Sequence, residues 1–265
     1  MESPEGKPIR EQFEGFLKET IIQGPVHAIT CDDVIQKVML WIAERPRPAT
    51  YIVQTNVYSL VNAQEGSPYR NVLSAADLSL PDGMPLVWIL RHRGHKNLER
   101  VYGPDLMLRL CEQAAKRGWR CFFYGGKPGV PELLKEKLVA RFPGLNIVGT
   151  YSPPFRELTA EEEAQVCAMI NAAKPDIVWV GLGAPKQDIW MYQHRGGLDV
   201  AVMHGVGAAF DFLTGRVRQA PRWMMNAGLE WLFRLLREPR RLWKRYTIVN
   251  LKFIYYILTS RWRMQ

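Results

Sequence analysis

No stretch of this 265-residue chain is apolar for long enough to cross a bilayer. The nearest, Tyr246 to Leu258, is thirteen residues interrupted by Asn250 and Lys252, against the roughly 20 that a spanning helix needs. Cysteine is scarce: Cys31, Cys111, Cys121 and Cys167 form no Cys-x-x-Cys pair and fall inside apparent helices or strands. That is the pattern of buried thiols in a reducing compartment, not of a disulfide framework. No Asp-x-Asp pair occurs to hold Mg²⁺ or Mn²⁺. The segment Met1 to Gly6 is polar and acidic, which speaks against a secretory signal. Repeats and low-complexity linkers are also missing. These absences point to a cytosolic chain that can lie on a membrane without crossing it.

Charge is distributed unevenly. Residues 216–265 carry twelve Lys/Arg against only Glu230 and Glu238, a balance of +10, whereas the whole chain is only +9, so the first 215 residues sum to −1. The same tail holds nine aromatics, among them Trp223, Trp231, Trp243 and Trp262. A near-neutral body with a basic, aromatic, aliphatic arm suits an enzyme held on an anionic membrane surface. The apolar content of 47% and charged content of 23% are otherwise those of an ordinary globular protein.

Along the body, short β-rich runs alternate with longer helical patterns, which predicts a parallel sheet covered by helices. The expected strands are Tyr51–Thr55, Asp77–Leu80, Cys121–Tyr124, Asn146–Gly149, Ile177–Val180 and Val200–His204. Several end in glycine turns: Gly125-Gly126, Gly181-Leu182-Gly183 and Gly205-Val206-Gly207. In open α/β sheets ligands sit beyond such carboxyl ends. Pro104 opens a helix that Gly118 stops, and Thr159 with Glu162 forms a capping box for a helix to about Ala173. In the tail, Pro221 opens one helix to about Arg237 and Pro239 a second to about Leu258. Leucine stripes at helical spacing on both suit packing on the core. The arginines laced between them equally suit lipid phosphates. The expected organisation is an α/β core, 1–215, with about the first 20 residues peripheral, and a basic amphipathic appendage, 216–265.

Three segments could carry chemistry. Pro81-Asp82-Gly83 follows a strand and precedes a helical stretch. A carboxylate there could act as general base toward a hydroxyl, and an Asp-Gly pair after Pro is also an ordinary turn. Arg100 lies just ahead of a helix start, where anions meet both amides and a guanidinium; a surface arginine in a polar loop would read the same. Gly183 to Asp188 repeats the theme, with Lys186 and Gln187 at a glycine turn, although Lys186 could be merely solvated. His92 and His95, two histidines in a basic loop without nearby cysteine, fit solvated residues better than a metal site. His204 fits a pocket wall. The two Gly-x-Gly turns lack the third glycine of a dinucleotide fingerprint, and Asp199 precedes its strand where that fingerprint would have it follow.

Together with His204 to Asp211 and Ala220-Pro221-Arg222-Trp223, these segments closely resemble the WecG/TagA/CpsF glycosyltransferases, glycosyltransferase family 26. The resemblance runs from about Ile52 to Tyr246. It implies a Rossmann-like, mostly parallel sheet flanked by helices, with a C-terminal membrane-docking appendage. The implied activity is inverting, metal-independent and cofactor-free: a sugar passes from UDP-N-acetylmannosamine, its uronic acid or UDP-glucose to a polyprenyl-diphosphate-linked saccharide, in cell-surface polysaccharide synthesis at the cytoplasmic membrane face. By the same resemblance Asp82 is the base, with Asn56 in the donor pocket, Arg100 near the diphosphate, Gln187 at the sugar and Asp211 on the nucleotide. Gln54, Thr55, Gly125, Gly126, Gly183, Lys186, Gly205 and Gly207 complete the donor side. Arg234, Arg237, Arg241 and Lys244 face acceptor phosphates and membrane. The chain departs from the family pattern in reading Gln54-Thr55-Asn56 for Thr-x-Asn, and in having Lys244 where arginine is common. A nucleic-acid-binding protein with a basic tail and an NAD-dependent oxidoreductase are the alternatives. Nucleic acid is not an expected partner; self-association is left open.

Overall fold

The computed structural model describes residues 17–64 and 67–260; Met1 to Gly6 and Trp262 lie outside them. The chain opens with a two-stranded antiparallel hairpin, β1 (Lys18–Ile21) and β2 (Gly24–His27). Six further strands make one sheet: β3 (Thr50–Thr55), β4 (Leu78–Pro81), β5 (Arg120–Gly125), β6 (Asn146–Tyr151), β7 (Ile177–Gly181) and β8 (Val202–Gly205). Their spatial order is β4-β3-β8-β7-β5-β6 and every pairing is parallel. All carboxyl ends therefore lie along one edge. The fold is the expected α/β class with a parallel sheet flanked by helices.

The strands are legible because they are buried on both faces. Side chains alternate between two cores: Ile52, Cys121, Phe123, Trp179 and Val202 face one, and Tyr51, Val53, Phe122, Tyr124 and Met203 the other. The first face is covered by α1 (Cys31–Glu44), α5 (Gly103–Arg117) and α6 (Val130–Arg141). Against the second lie α2 (Val57–Asn62), α3 (Tyr69–Ser74), α4 (Met84–His92), α7 (Ala160–Ala172) and α8 (Lys186–His194). Short α9 (Ala209–Thr214) follows β8. The capping box at Thr159 is formed as expected, its hydroxyl accepting from the Glu162 amide.

The tail holds the expected helix from Pro239, and departs from expectation ahead of it. In place of one helix from Pro221 to Arg237 there are two, α10 (Arg222–Asn226) and α11 (Glu230–Arg237), broken at Gly228, whose φ is +71°. The last helix, α12 (Pro239–Ser260), packs back onto α2 and buries Phe253 in the second core. No helix among the described residues is long and apolar enough to cross a membrane.

Candidate active site

Three backbone links deliver three side chains to one place. β3 and β4 end side by side, Thr55 opposite Pro81. The Asp82 amide donates back to Thr55 O (2.8 Å) and the Val101 amide to Pro81 O (3.2 Å). The turn after β4 and the loop before α5 are thus fixed to neighbouring strand ends. Asn56, next after β3, caps α2 by accepting from the Ser59 amide (3.2 Å). Asn56, Asp82 and Arg100 consequently line one cavity of about 640 Å³.

Its electrostatic centre is Arg100, a guanidinium between two carboxylates. Nε and Nη2 both donate to Oδ1 of Asp82 (3.1 and 2.8 Å), and Nη1 donates to Glu230 Oε2 (2.7 Å). The three side chains are only 14–19% exposed. Burial pushes the Asp82 carboxyl above its ordinary value, Arg100 opposes that rise and the Glu230 charge adds to it. Burial alone would lower Arg100, yet Asp82 and Glu230 hold it well above the usual guanidinium value. Arg100 also stacks over the Tyr102 ring at 4.3 Å, a contact suited to a delocalised cation.

The opposite wall is the appendage. Arg222 on α10 lies bidentate on Asp105 in the first turn of α5 (2.6 and 3.0 Å). From there the chain turns at Gly228 and sets α11 over the cavity, while Asn250 and Ile254 of α12 close the far side. Arg234, one helical turn beyond Glu230, lines the cavity, lies 5.5 Å over the Phe212 ring, and keeps its Nε buried without a hydrogen-bond partner among the described residues. Because Phe212 follows Asp211 on α9, Arg234 links the Asp82 cluster to the end of β8.

The remaining expected donor residues form a second group along the same sheet edge. Gln187 is buried and its Oε1 accepts from the amides of Gly183 (3.1 Å) and Gly207 (2.9 Å), clamping the turns after β7 and β8 together. Gly125 has φ +119°, and a Cβ there would stand 2.6 Å from the Gly181 carbonyl carbon; only glycine lets these turns meet. The Gly126 amide then donates to Gly181 O (3.0 Å). Gln54 meets His204 through their Nε2 atoms at 3.0 Å and Thr55 is fully buried, so of that triplet Asn56 lines the cavity. A Cβ on Gly205 would meet the Gln187 amide at 2.8 Å. Lys186 lies 5.9 Å over Phe155. Arg237 stacks on Phe233, Lys244 on Trp243, and Arg241 pairs with Glu238 (2.7 Å); none of these three basic residues lines the cavity.

A carboxylate, two arginines and an amide at the carboxyl ends of a parallel sheet, closed by a basic helical arm, suit transfer of a group bearing a diphosphate. Comparison with known proteins decides the family: the model of the glycosyl transferase WecG/TagA/CpsF family matches residues 19–265. This chain belongs to that family. It is similar to the N-acetylglucosaminyldiphosphoundecaprenol N-acetyl-beta-D-mannosaminyltransferase of Bacillus spizizenii, with 35% identity over 195 residues, 74% of each chain. As a WecG/TagA/CpsF member the chain is a glycosyltransferase, which sets aside the oxidoreductase and nucleic-acid readings.

One residue lining this cavity is not marked by any sequence pattern. Glu230 was visible only as one of two acids in a strongly basic tail. That scarcity was the available signal, since an isolated carboxylate among cations is placed to hold one of them. Its partner lies 130 residues away, beyond any local pattern.

Proposed function

We propose that this chain moves a sugar from a UDP-sugar to a polyprenyl-diphosphate-linked saccharide, with Asp82 as the base, on the cytoplasmic face of a membrane that the appendage contacts. The observation that carries this reading is the placement of Asp82 at a cavity whose opposite wall is the basic appendage. The printed name of the Bacillus spizizenii relative describes N-acetylmannosaminyl transfer to N-acetylglucosaminyldiphosphoundecaprenol, and that donor sugar and acceptor are the first choices here.

Chemically, both Arg100 bonds fall on Oδ1 of Asp82, so Oδ2 is available to take the proton of the acceptor hydroxyl. The oxygen attacks the anomeric carbon from the face opposite UDP. The bond to the diphosphate breaks and UDP leaves with its electron pair, inverting the centre. Burial makes Asp82 a better base than an exposed aspartate. Arg100 and Arg234 are placed to stabilise charge growing on the leaving diphosphate, a role that preorganised cations fill well in a secluded site.

The appendage fits a membrane surface. Leu236, Leu251, Tyr255 and Leu258 on α11 and α12 are each more than half exposed, and Trp223 on α10 is 65% exposed. Arg237, Arg240, Arg241 and Lys244 accompany them. Apolar side chains entering lipid beside cations reaching headgroups give the two signals that stable peripheral binding needs.

The test is a panel of UDP-sugars assayed for UDP release with a short-chain lipid-diphosphate N-acetylglucosamine. Acceptor-dependent release with an anomeric configuration opposite to the donor's is expected. A panel with no acceptor-dependent release would overturn the proposal.

A further inference from the structure

The contact between Glu230 and Arg100 has a chemical consequence for the base. Arginine has five N–H donors and pairs most readily with a carboxylate as a fork, two nitrogens on two oxygens. Here the fork is incomplete: Nε and Nη2 converge on Oδ1 of Asp82, and Nη1 is taken by Glu230. Without Glu230, the guanidinium is free to turn and place a nitrogen on Oδ2, the oxygen that must receive the acceptor proton. A carboxylate held by a full fork in a secluded site is a poor base.

We propose that Glu230 is a positioning residue for the transfer reaction: by holding Nη1 of Arg100 it keeps Oδ2 of Asp82 open. This rests on Asp82 being the base. Glu230 is itself set in place by the Arg222–Asp105 pair and the Gly228 turn, which together bring the first residue of α11 against the loop before α5. Among the described residues, the charged and titratable groups around the pair are Asp82 and Arg100 from the core loops, Tyr102 beneath the guanidinium, Asp105 and Arg222 near it, Glu230 and Arg234 from α11, and Tyr58 and Tyr246 on the cavity wall.

The experiment compares full-length wild type, E230A, E230D and D82N in acceptor-dependent transfer across pH. Removing the Glu230 carboxylate is expected to lower kcat about 10- to 100-fold, less than the roughly 10²–10⁴ that a general base itself contributes, and to move the acid limb of kcat/KM to lower pH. Its sign follows from Arg100 then serving Asp82 alone. E230D keeps a carboxylate and restores most of the rate and the wild-type limb. Loss of rate in E230A with an unmoved limb marks a merely structural role and overturns the proposal, as does wild-type behaviour of E230A. An active D82N instead brings down the base assignment beneath it, so the two failures are distinguishable. Should E230A not accumulate as folded protein, E230L carries the same pH test.

Discussion

The backbone of Gly228 rests against the Trp88 indole so closely that a Cβ added there would stand 2.7 Å from the ring's Cη2 atom. This contact joins the appendage to α4, one residue type on each side, and Gly228 also needs φ +71° to turn the chain between α10 and α11. A side chain at that φ costs about 1–2 kcal/mol, and the indole must move as well. Gly228→Ala is therefore expected to unseat α11 and lower transfer about tenfold or more. Unfolding of the α/β core by urea should change little. Unchanged turnover in this variant would show that the turn does not set the appendage.

Asp82→Asn replaces an ionisable oxygen by an amide of the same shape. The Arg100 contacts to Oδ1 can persist, so folding and UDP binding should be retained. Transfer is expected to fall by about 10²–10⁴, the usual contribution of a general base. Single-turnover rates with UDP affinity measured alongside separate chemistry from binding.

Gln187 bears on the donor side. Its Oε1 serves two amides belonging to different turns, and an unsatisfied buried donor costs about 1–3 kcal/mol. Gln187→Leu should lower stability by about 2 kcal/mol in urea unfolding and weaken UDP binding, because the turns after β7 and β8 lose their clamp. Normal UDP affinity in Gln187→Leu would separate the clamp from the donor site.

Membrane contact is tested at Leu236, 73% exposed on α11 and absent from the cavity wall. Burying a leucine is worth about 1.5–3 kcal/mol, so Leu236→Glu should weaken co-sedimentation with anionic vesicles by roughly tenfold or more. Surface substitutions of this kind leave stability within about 0.5 kcal/mol. Equal vesicle binding by both proteins would remove α11 from the docking surface.

Sequence reasoning succeeded where a local pattern carries the information. Doubly buried strands such as Ile177–Gly181 announce themselves as unbroken β-rich runs, and Thr159 with Glu162 marks a helix start within three residues. The hairpin Lys18–His27 was not foreseen because its turn is made by Ile22 and Gln23, at φ 47° and 64°, with none of the usual Asn-Gly or Asp-Gly chemistry. The sequence pattern puts Asp77 at the start of a strand, but the strand begins at Leu78, and the Asp77 carboxylate takes the Tyr51 amide and pairs with Arg195. At the site, Asp82 and Arg100 stood out through their positions beside predicted element ends. Their closure by Glu230 and Arg234 depends on how a distant arm folds back, which periodicity cannot encode.

One buried acid lies outside the proposed chemistry and gives a prediction about pH. Asp188 on α8 is 1% exposed, accepts from the Tyr69 hydroxyl at 2.5 Å through Oδ2, and has no hydrogen-bond partner for Oδ1 among the described residues. Burial pushes its pKa up to about 6, with the Tyr69 and Gln187 contacts opposing, against about 3.9 for an unfolded aspartate. The folded state thus holds this proton more tightly than the unfolded one. Its contribution to stability is full below about pH 4, declines as pH rises through about 6, and is then lost. At about 1.4 kcal/mol per pH unit of difference, the loss is roughly 2–3 kcal/mol. Asp188→Asn keeps an oxygen for the tyrosine hydroxyl and cannot ionise. Relative to wild type it should gain about 2 kcal/mol in urea unfolding between pH 4 and pH 7.5, and the gain should be confined to that window. A stability difference that stays flat across the window would mean that burial does not raise Asp188 in the folded chain.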